Sequence, residues 1–434
     1  MAEDRSFTEM SAALPDGPAP EPAAALVAAA VREERAEEAL GIVAAMEGRL
    51  PPSLFHQLMA KLLLETPAPE AAAPHLEALA AAGAPADLLT DMRVALALRQ
   101  GDRAGAVAWL EAAEAGGGRP LAHFLRKWSL LEEIGRLDPV AREVEAMAAA
   151  IPADRRREHA LLELHRCAVA HNRMRFAESA ARLDRLLRAC ASGGIAPARS
   201  APPPPARTAG RLRRVAADIA ALAAAQGLEV AFTAGTLLGL VRDGAFLPGD
   251  KDLDLAVLGP AGTAPVAAAL LASGLFQPEP TPFPFGSYRV LRHRPTGVVL
   301  DLIAHAPGDG VRLNRWEGPD GALLRQTVFP FYRATPADFP GPGLRLPVPD
   351  GVDAHLAALY GDWRTPDPAY DTTLSARNLT AHTPYLASYG RLKAATLLLG
   401  GLPDRAPALL RQLSAREPGN RDLAGIVRDL EGTR

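Results

Sequence analysis

Cysteine is nearly absent from this chain: 434 residues carry two, Cys167 and Cys190. Two cysteines exclude a disulfide framework, and without paired spacing they exclude a cysteine zinc site, so both read as helix residues in a reducing compartment. An excess of positive charge is also missing. The formal net charge is -3, which offers no general attraction to phosphate backbones, so nucleic acid is not an expected partner. No uninterrupted apolar run approaches the roughly 20 residues that span a bilayer. The opening stretch, MAEDRSFTEM, is acidic where a signal peptide is basic and then apolar. The expectation is a cytoplasmic protein with no transmembrane segment, peripheral to a membrane at most. Walker A loops, dinucleotide fingerprints and serine nucleophile elbows are lacking too.

What the chain does have falls into regions of different composition. Residues 1–20, rich in Pro, Ala and acids, read as a disordered tail. Residues 21–191 are Ala- and Leu-rich with apolar positions at helical spacing, interrupted at Gly, Pro or Asn. The interruptions recur near Arg32, Thr66, Gln100, Ile134 and His171, at steps of about 34 residues. That is the tetratricopeptide period. The segment from Gly101 to Leu110 resembles the second helix of such a repeat, and Phe176 to Leu183 has a similar pattern. Stacked units of this kind serve either to dock a protein partner or glycan or to support a neighbouring domain. Residues 192–209, with Pro202 to Pro205, form an extended linker. Beyond it, alternating apolar and polar residues with Gly and Pro punctuation predict strands and turns. Helices return in residues 367–434, as a further hairpin that stacks on one or other neighbour.

The chemistry is concentrated in residues 210–366. A helix from about Arg211 ends at Gly227, a strand follows over 228–233, and Ala234-Gly235-Thr236 opens a helical run at Leu237. Glycine there permits close approach of a phosphate, and the amides beyond it favour an anion. In Asp250-Lys251-Asp252-Leu253-Asp254-Leu255-Ala256-Val257, the strand period puts Asp252 and Asp254 on one face and the leucines on the other. At a separation of about 6.6 Å and an effective dielectric near 20, the two carboxylates repel by roughly 2.5 kcal/mol, a cost that a divalent cation reverses. Carboxylate oxygens suit Mg2+ or Mn2+, whereas zinc prefers His or Cys. A third acid, Asp301, is embedded in the apolar run Val298 to Ile303, where an unpaired charge is costly.

Gly235-Thr236-Leu237-Leu238-Gly239-Leu240-Val241-Arg242-Asp243-Gly244, followed by Phe246-Leu247-Pro248-Gly249-Asp250-Lys251-Asp252-Leu253-Asp254, resembles the signature of the LicD/fukutin family. A second block, Leu346-Pro347-Val348-Pro349-Asp350 and then Leu359-Tyr360-Gly361-Asp362-Trp363 with Pro366, is similar to that family's closing motif. Gly249 and Lys251 depart from the pattern, and Lys251 bears on which donor is used. The resemblance covers about a third of the chain. It implies a nucleotidyltransferase-fold catalytic domain with a mixed sheet; with the all-α repeat array read before that domain and the short helical segment read after it, the expected class is α+β. The implied activity transfers a phospho-substituent, such as phosphocholine or an alditol phosphate, from a CDP-linked donor to a glycan or polysaccharide precursor. Asp252 and Asp254 would hold the cation, Asp301 would be third ligand or base, and Gly235 and Thr236 would cradle phosphate. Arg242 and Lys251 would face the donor's charge. Two other readings compete: an NTP-dependent nucleotidyltransferase acting on a small molecule or protein, and a non-catalytic repeat scaffold.

Other clusters carry less. His159, Glu163 and His165 do not share a helix face with a third ligand, and Cys167 with His171 is a single pair; all are expected on helix surfaces. Arg155-Arg156-Arg157 and Arg211-Arg213-Arg214 are flanked by acids and read as solvated faces. Trp316 and Tyr332 are expected in the core.

Overall fold

The structure is a computed structural model that describes residues 6–12, 20–117, 119–195, 209–247, 250, 252–281, 286–339, 344–367 and 369–432. Helices dominate the first part: α1 (Phe7–Ala12), α2 (Pro20–Arg32), α3 (Ala36–Ala44), α4 (Pro52–Leu63), α5 (Ala73–Ala81), α6 (Ala86–Arg99), α7 (Arg103–Glu114), α8 (Leu121–Glu133), α9 (Leu137–Ala150), α10 (Arg156–Asn172) and α11 (Phe176–Ala191). Each packs on the next, and their breaks have clear causes. Gly101, at φ 75°, closes α6 in the left-handed region that glycine tolerates, and Asp102 caps α7 by accepting from the Gly105 amide at 2.7 Å. The apolar interior is a chain of local cores. One lies under α1 to α4, another under α4 to α6, a third under α6 to α10, and a fourth joins α10 and α11 to the C-terminal helices. Stability in such an array comes from neighbour contacts along one dimension.

The mixed part comprises α12 (Ala209–Gln226), β1 (Val230–Phe232), α13 (Ala234–Arg242), β2 (Asp252–Val257), α14 (Thr263–Ala272), β3 (Phe276–Glu279), β4 (Tyr288–His293), β5 (Val299–Ala304), β6 (Ala306–Pro307), β7 (Val311–Glu317), β8 (Leu323–Pro330), β9 (Ala334–Asp338), β10 (Arg345–Pro349) and α15 (Val352–Tyr360). Five strands form a mixed sheet in the order β1-β2-β5-β4-β3, in which β2 and β5 are parallel and the other pairings antiparallel. A second sheet runs β6-β7-β8, and β9 pairs with β10. The larger sheet buries one face under α12 and α14, where Leu253, Leu255, Leu300 and Leu302 meet Leu212, Ile219 and Leu270. The α+β class is therefore observed.

The C-terminal helices α16 (Pro384–Gly400), α17 (Ala406–Arg416) and α18 (Arg421–Gly432) share a core with α10 and α11, so the last hairpin extends the helical array. Two expectations need correction. The tail is not without structure, because Phe7 is buried beneath α2 and donates its amide to Glu33 at 2.8 Å. Cys167 and His171 are not on a surface: both are buried, and His171 Nδ1 meets Ser388 Oγ at 2.8 Å, joining α10 to α16. Among the basic clusters, Arg211 pairs with Glu65 at 2.8 Å and Arg157 donates to the Leu399 carbonyl at 2.9 Å, so both join regions of the chain. Most of the linker, residues 196–208, lies outside the described residues. No helix among the described residues is long and apolar enough to cross a membrane.

Candidate active site

The site forms on the face of the sheet that the leucines leave. Alternation along β2 buries Leu253 and Leu255 and turns Asp252 and Asp254 the other way. The same alternation along β5 buries Leu300 and Leu302 and turns out Asp301. Parallel register then sets Asp254 directly beside Asp301 and Asp252 beside Val299. Asp250, one strand period before Asp252, belongs to the same group: a Cβ added at Gly235 would stand 3.6 Å from Asp254 Oδ2 and 3.8 Å from Asp250 Oδ1.

The helix that carries Gly235 is aimed by strain and by a clamp. Ala234 has φ 44°, in the left-handed region that a side chain disfavours, so the chain turns sharply from β1 into α13. Thr236, expected to cradle phosphate, is buried and holds Asp254 instead. Its hydroxyl accepts from the Asp254 amide at 2.9 Å, and its own amide donates to the Asp254 carboxylate. Gly239 fits because a Cβ there would stand 2.7 Å from the Ala245 carbonyl and 2.8 Å from the Leu247 amide. Behind α13, Trp363 packs with Leu237, Leu238, Val348 and Leu356, so the two sequence blocks meet in one core.

Charge is concentrated here. Asp254 keeps some exposed surface, yet protein surrounds its carboxyl so closely that desolvation, followed by the charges of Asp301, Asp252 and Asp250, holds its pKa well above the usual range. Desolvation and then Asp252 push Asp301 up to about 7, against a hydrogen bond that Tyr288 donates. Asp250 rises to about 6, again by desolvation and then Asp252. Asp254 and Asp301 accept from neutral donors, the Thr236 amide and the Tyr288 hydroxyl.

The chemistry of this group, oxygen donors that raise one another's pKa around a glycine, is of the kind that suits a hard divalent cation on Asp252 and Asp254, with Asp301 beside them. The side chains do not already form its shell: among the described residues no group of three or more His, Cys, Asp or Glu is placed to hold a metal ion. The acids are neighbours on adjacent strands that would have to draw together.

Two clefts reach the acids. One, of about 730 Å³, is lined by Gly235, Arg242, Asp250, Tyr360, Trp363 and Arg405 among others. Arg242 faces it, but its guanidinium is held by Asp243 at 2.9 and 3.0 Å. The second, of about 640 Å³, is lined by Asp252, Asp301, Tyr288 and Trp316, together with Arg103 and Glu133 from the helical array. Lys251 lies outside the described residues. Tyr332 is buried with its hydroxyl 2.6 Å from His305 Nδ1, as a core residue, whereas Trp316 lines the second cleft. Sequence reasoning missed Tyr288 and Arg103. Tyr288 gives only the signal of a polar aromatic in an alternating strand, and Arg103 gives none, since it lies far away in the array.

Compared with protein-family models and with curated proteins, the sequence gives no match.

Proposed function

We propose that residues 210–366 form a metal-dependent transferase of the LicD/fukutin type on a nucleotidyltransferase fold, moving a phospho-substituent from a CDP-linked donor to a hydroxyl of a glycan or polysaccharide precursor. The observation that carries this reading is the in-register pair Asp254 and Asp301 on parallel strands, with Asp252 on the same face and Gly235 against the carboxylates. The repeat-like helix pairs, which begin at Pro20, Pro52, Ala86, Leu121 and Arg156, support a tetratricopeptide-like reading of the array.

Asp252 and Asp254 would hold Mg2+ or Mn2+, which supplies neutralisation of the donor diphosphate's charge. Thr236 fixes Asp254 at two points, its hydroxyl accepting from the Asp254 amide and its own amide donating to the Asp254 carboxylate. Gly235 leaves room for a phosphate to approach without a side chain in the way, and the cleft carrying Tyr360 and Trp363 suits the nucleotide base. Tyr288 orients Asp301, and a carboxyl held near 7 takes a proton readily at neutral pH. The acceptor oxygen forms its bond to the donor's distal phosphorus, the bond from that phosphorus to the bridging oxygen breaks, and CMP leaves while the hydroxyl proton passes to Asp301. The full chain is to be incubated with CDP-choline, CDP-ribitol and CDP-glycerol, Mg2+ or Mn2+, and candidate acceptors. Metal-dependent release of CMP supports the reading; pyrophosphate release from an NTP instead marks a nucleotidyltransferase, and neither product marks a non-catalytic scaffold.

A further inference from the structure

The cleft that holds Asp252 and Asp301 is walled on one side by the helical array. Arg103, the first residue of α7, is 8% exposed and reaches across to the sheet. Its Nε donates to Glu133 on α8 at 2.7 Å and its Nη2 pairs with Glu279 on β3, which also accepts from Arg292 on β4 at 2.9 Å. The remaining nitrogen, Nη1, is buried and has no hydrogen-bond partner among the described residues. A buried guanidinium nitrogen left in this state is costly, and a ligand oxygen would satisfy it.

The rest of the cleft limits what that ligand is. Four acids, Asp252, Asp301, Glu133 and Glu279, face two arginines, Arg103 and Arg292, so a further negative charge is unfavourable there. The aromatic walls, Tyr288, Trp316, Tyr385 and Tyr389, offer flat apolar faces with polar tips, which suit ring systems that carry hydroxyls. The opposite cleft, beyond Gly235, holds Arg242 and Arg405 beside Asp250, Asp362 and Asp367.

We infer that the cleft between the array and the sheet is the acceptor half of the site, that it takes a neutral, hydroxyl-rich molecule, and that Arg103 from the array binds it through Nη1. This rests on the transferase reading given above, and it adds that the array is part of the substrate site. Arg103 is a specificity residue for the acceptor and has no part in holding the donor.

The test is binding of saccharide probes to the full chain, by calorimetry or saturation-transfer NMR. Maltooligosaccharides and chitooligosaccharides are the neutral probes, and oligogalacturonate is the anionic one. At least one neutral probe binds and the anionic one does not. Arg103→Lys, which keeps the charge toward Glu133 and Glu279 but loses the forked donor, weakens neutral-probe binding about tenfold while MgCDP binding is retained. Thr373→Trp, which fills the cleft without touching the arginine pairs, also blocks the probe. The inference is overturned if no neutral probe binds, if only the anionic probe binds, or if both variants bind the neutral probe as tightly as the unaltered chain. Absence of metal-dependent CMP release from the unaltered chain would instead defeat the transferase reading, and the two failures are read in separate experiments.

Discussion

Asp254 and Asp301 are neighbours by register, and burial together with like charge raises the pKa of both. On the proposed transferase reading, Asp254→Asn removes a cation ligand while keeping shape, so metal-dependent CMP release should fall on the order of a thousandfold or more, with an unchanged circular-dichroism spectrum. The pH dependence has a definite sign. A carboxyl raised from 3.8 to about 7 binds more protons in the folded chain than in the unfolded one over that interval. Its contribution to stability is therefore present at low pH, is lost as pH rises from about 4 to about 7, and changes no further above that. In chelator, Asp301→Asn should melt at a higher temperature than the unaltered chain above pH 7, with the gap closing toward about pH 4. Scanning calorimetry checks this, and equal melting temperatures above pH 7 would deny the raised pKa.

Elements explain why the acids meet. The alternation in Asp252-Leu253-Asp254-Leu255 made β2 and its two-faced character legible in the sequence, because strand geometry alone sorts those side chains. The turn at Ala234-Gly235-Thr236 was legible as a strand-to-helix junction, but the role of Thr236 was not, since its partner is the Asp254 backbone on another element. Nor did the sequence disclose that β5 lies parallel to β2 in the register that pairs Asp254 with Asp301; register is a tertiary outcome. Gly239 gives a test at this scale. A Cβ there meets backbone atoms of Ala245 and Leu247, which cannot swing away as a side chain would. Gly239→Ala should cost about 1–3 kcal/mol by urea denaturation, although alanine favours helix. A neutral or stabilising result would contradict the close packing of α13 on the segment that leads to the acids.

At the scale of the whole molecule, the array and the sheet are joined through charge. Glu279 on β3 accepts from Arg292 on β4 and from Arg103 on α7, and Arg211 on α12 pairs with Glu65 beyond α4. The contacts of Arg103 with Glu279 and of Arg211 with Glu65 were not legible, because each joins residues far apart in sequence whose types are ordinary on a protein surface. Region limits were more legible, since composition changes at the Pro-rich stretch, and of the two neighbours on which the C-terminal helices were expected to stack they share their core with the array. Glu279→Gln leaves the buried guanidinium of Arg103 and the half-buried one of Arg292 facing a neutral amide, and should destabilise the chain by about 3 kcal/mol in urea. An unresolvable loss would mean that this junction contributes little to holding the two parts together.

The central claim is that Asp252 and Asp254, beside Asp301, hold one divalent cation. Titration of Mn2+ into the full chain, followed by electron paramagnetic resonance, tests it most directly. Saturable binding that disappears in the Asp252→Asn, Asp254→Asn double variant is the predicted result. Absence of binding, or binding that the double variant retains unchanged, would contradict the account.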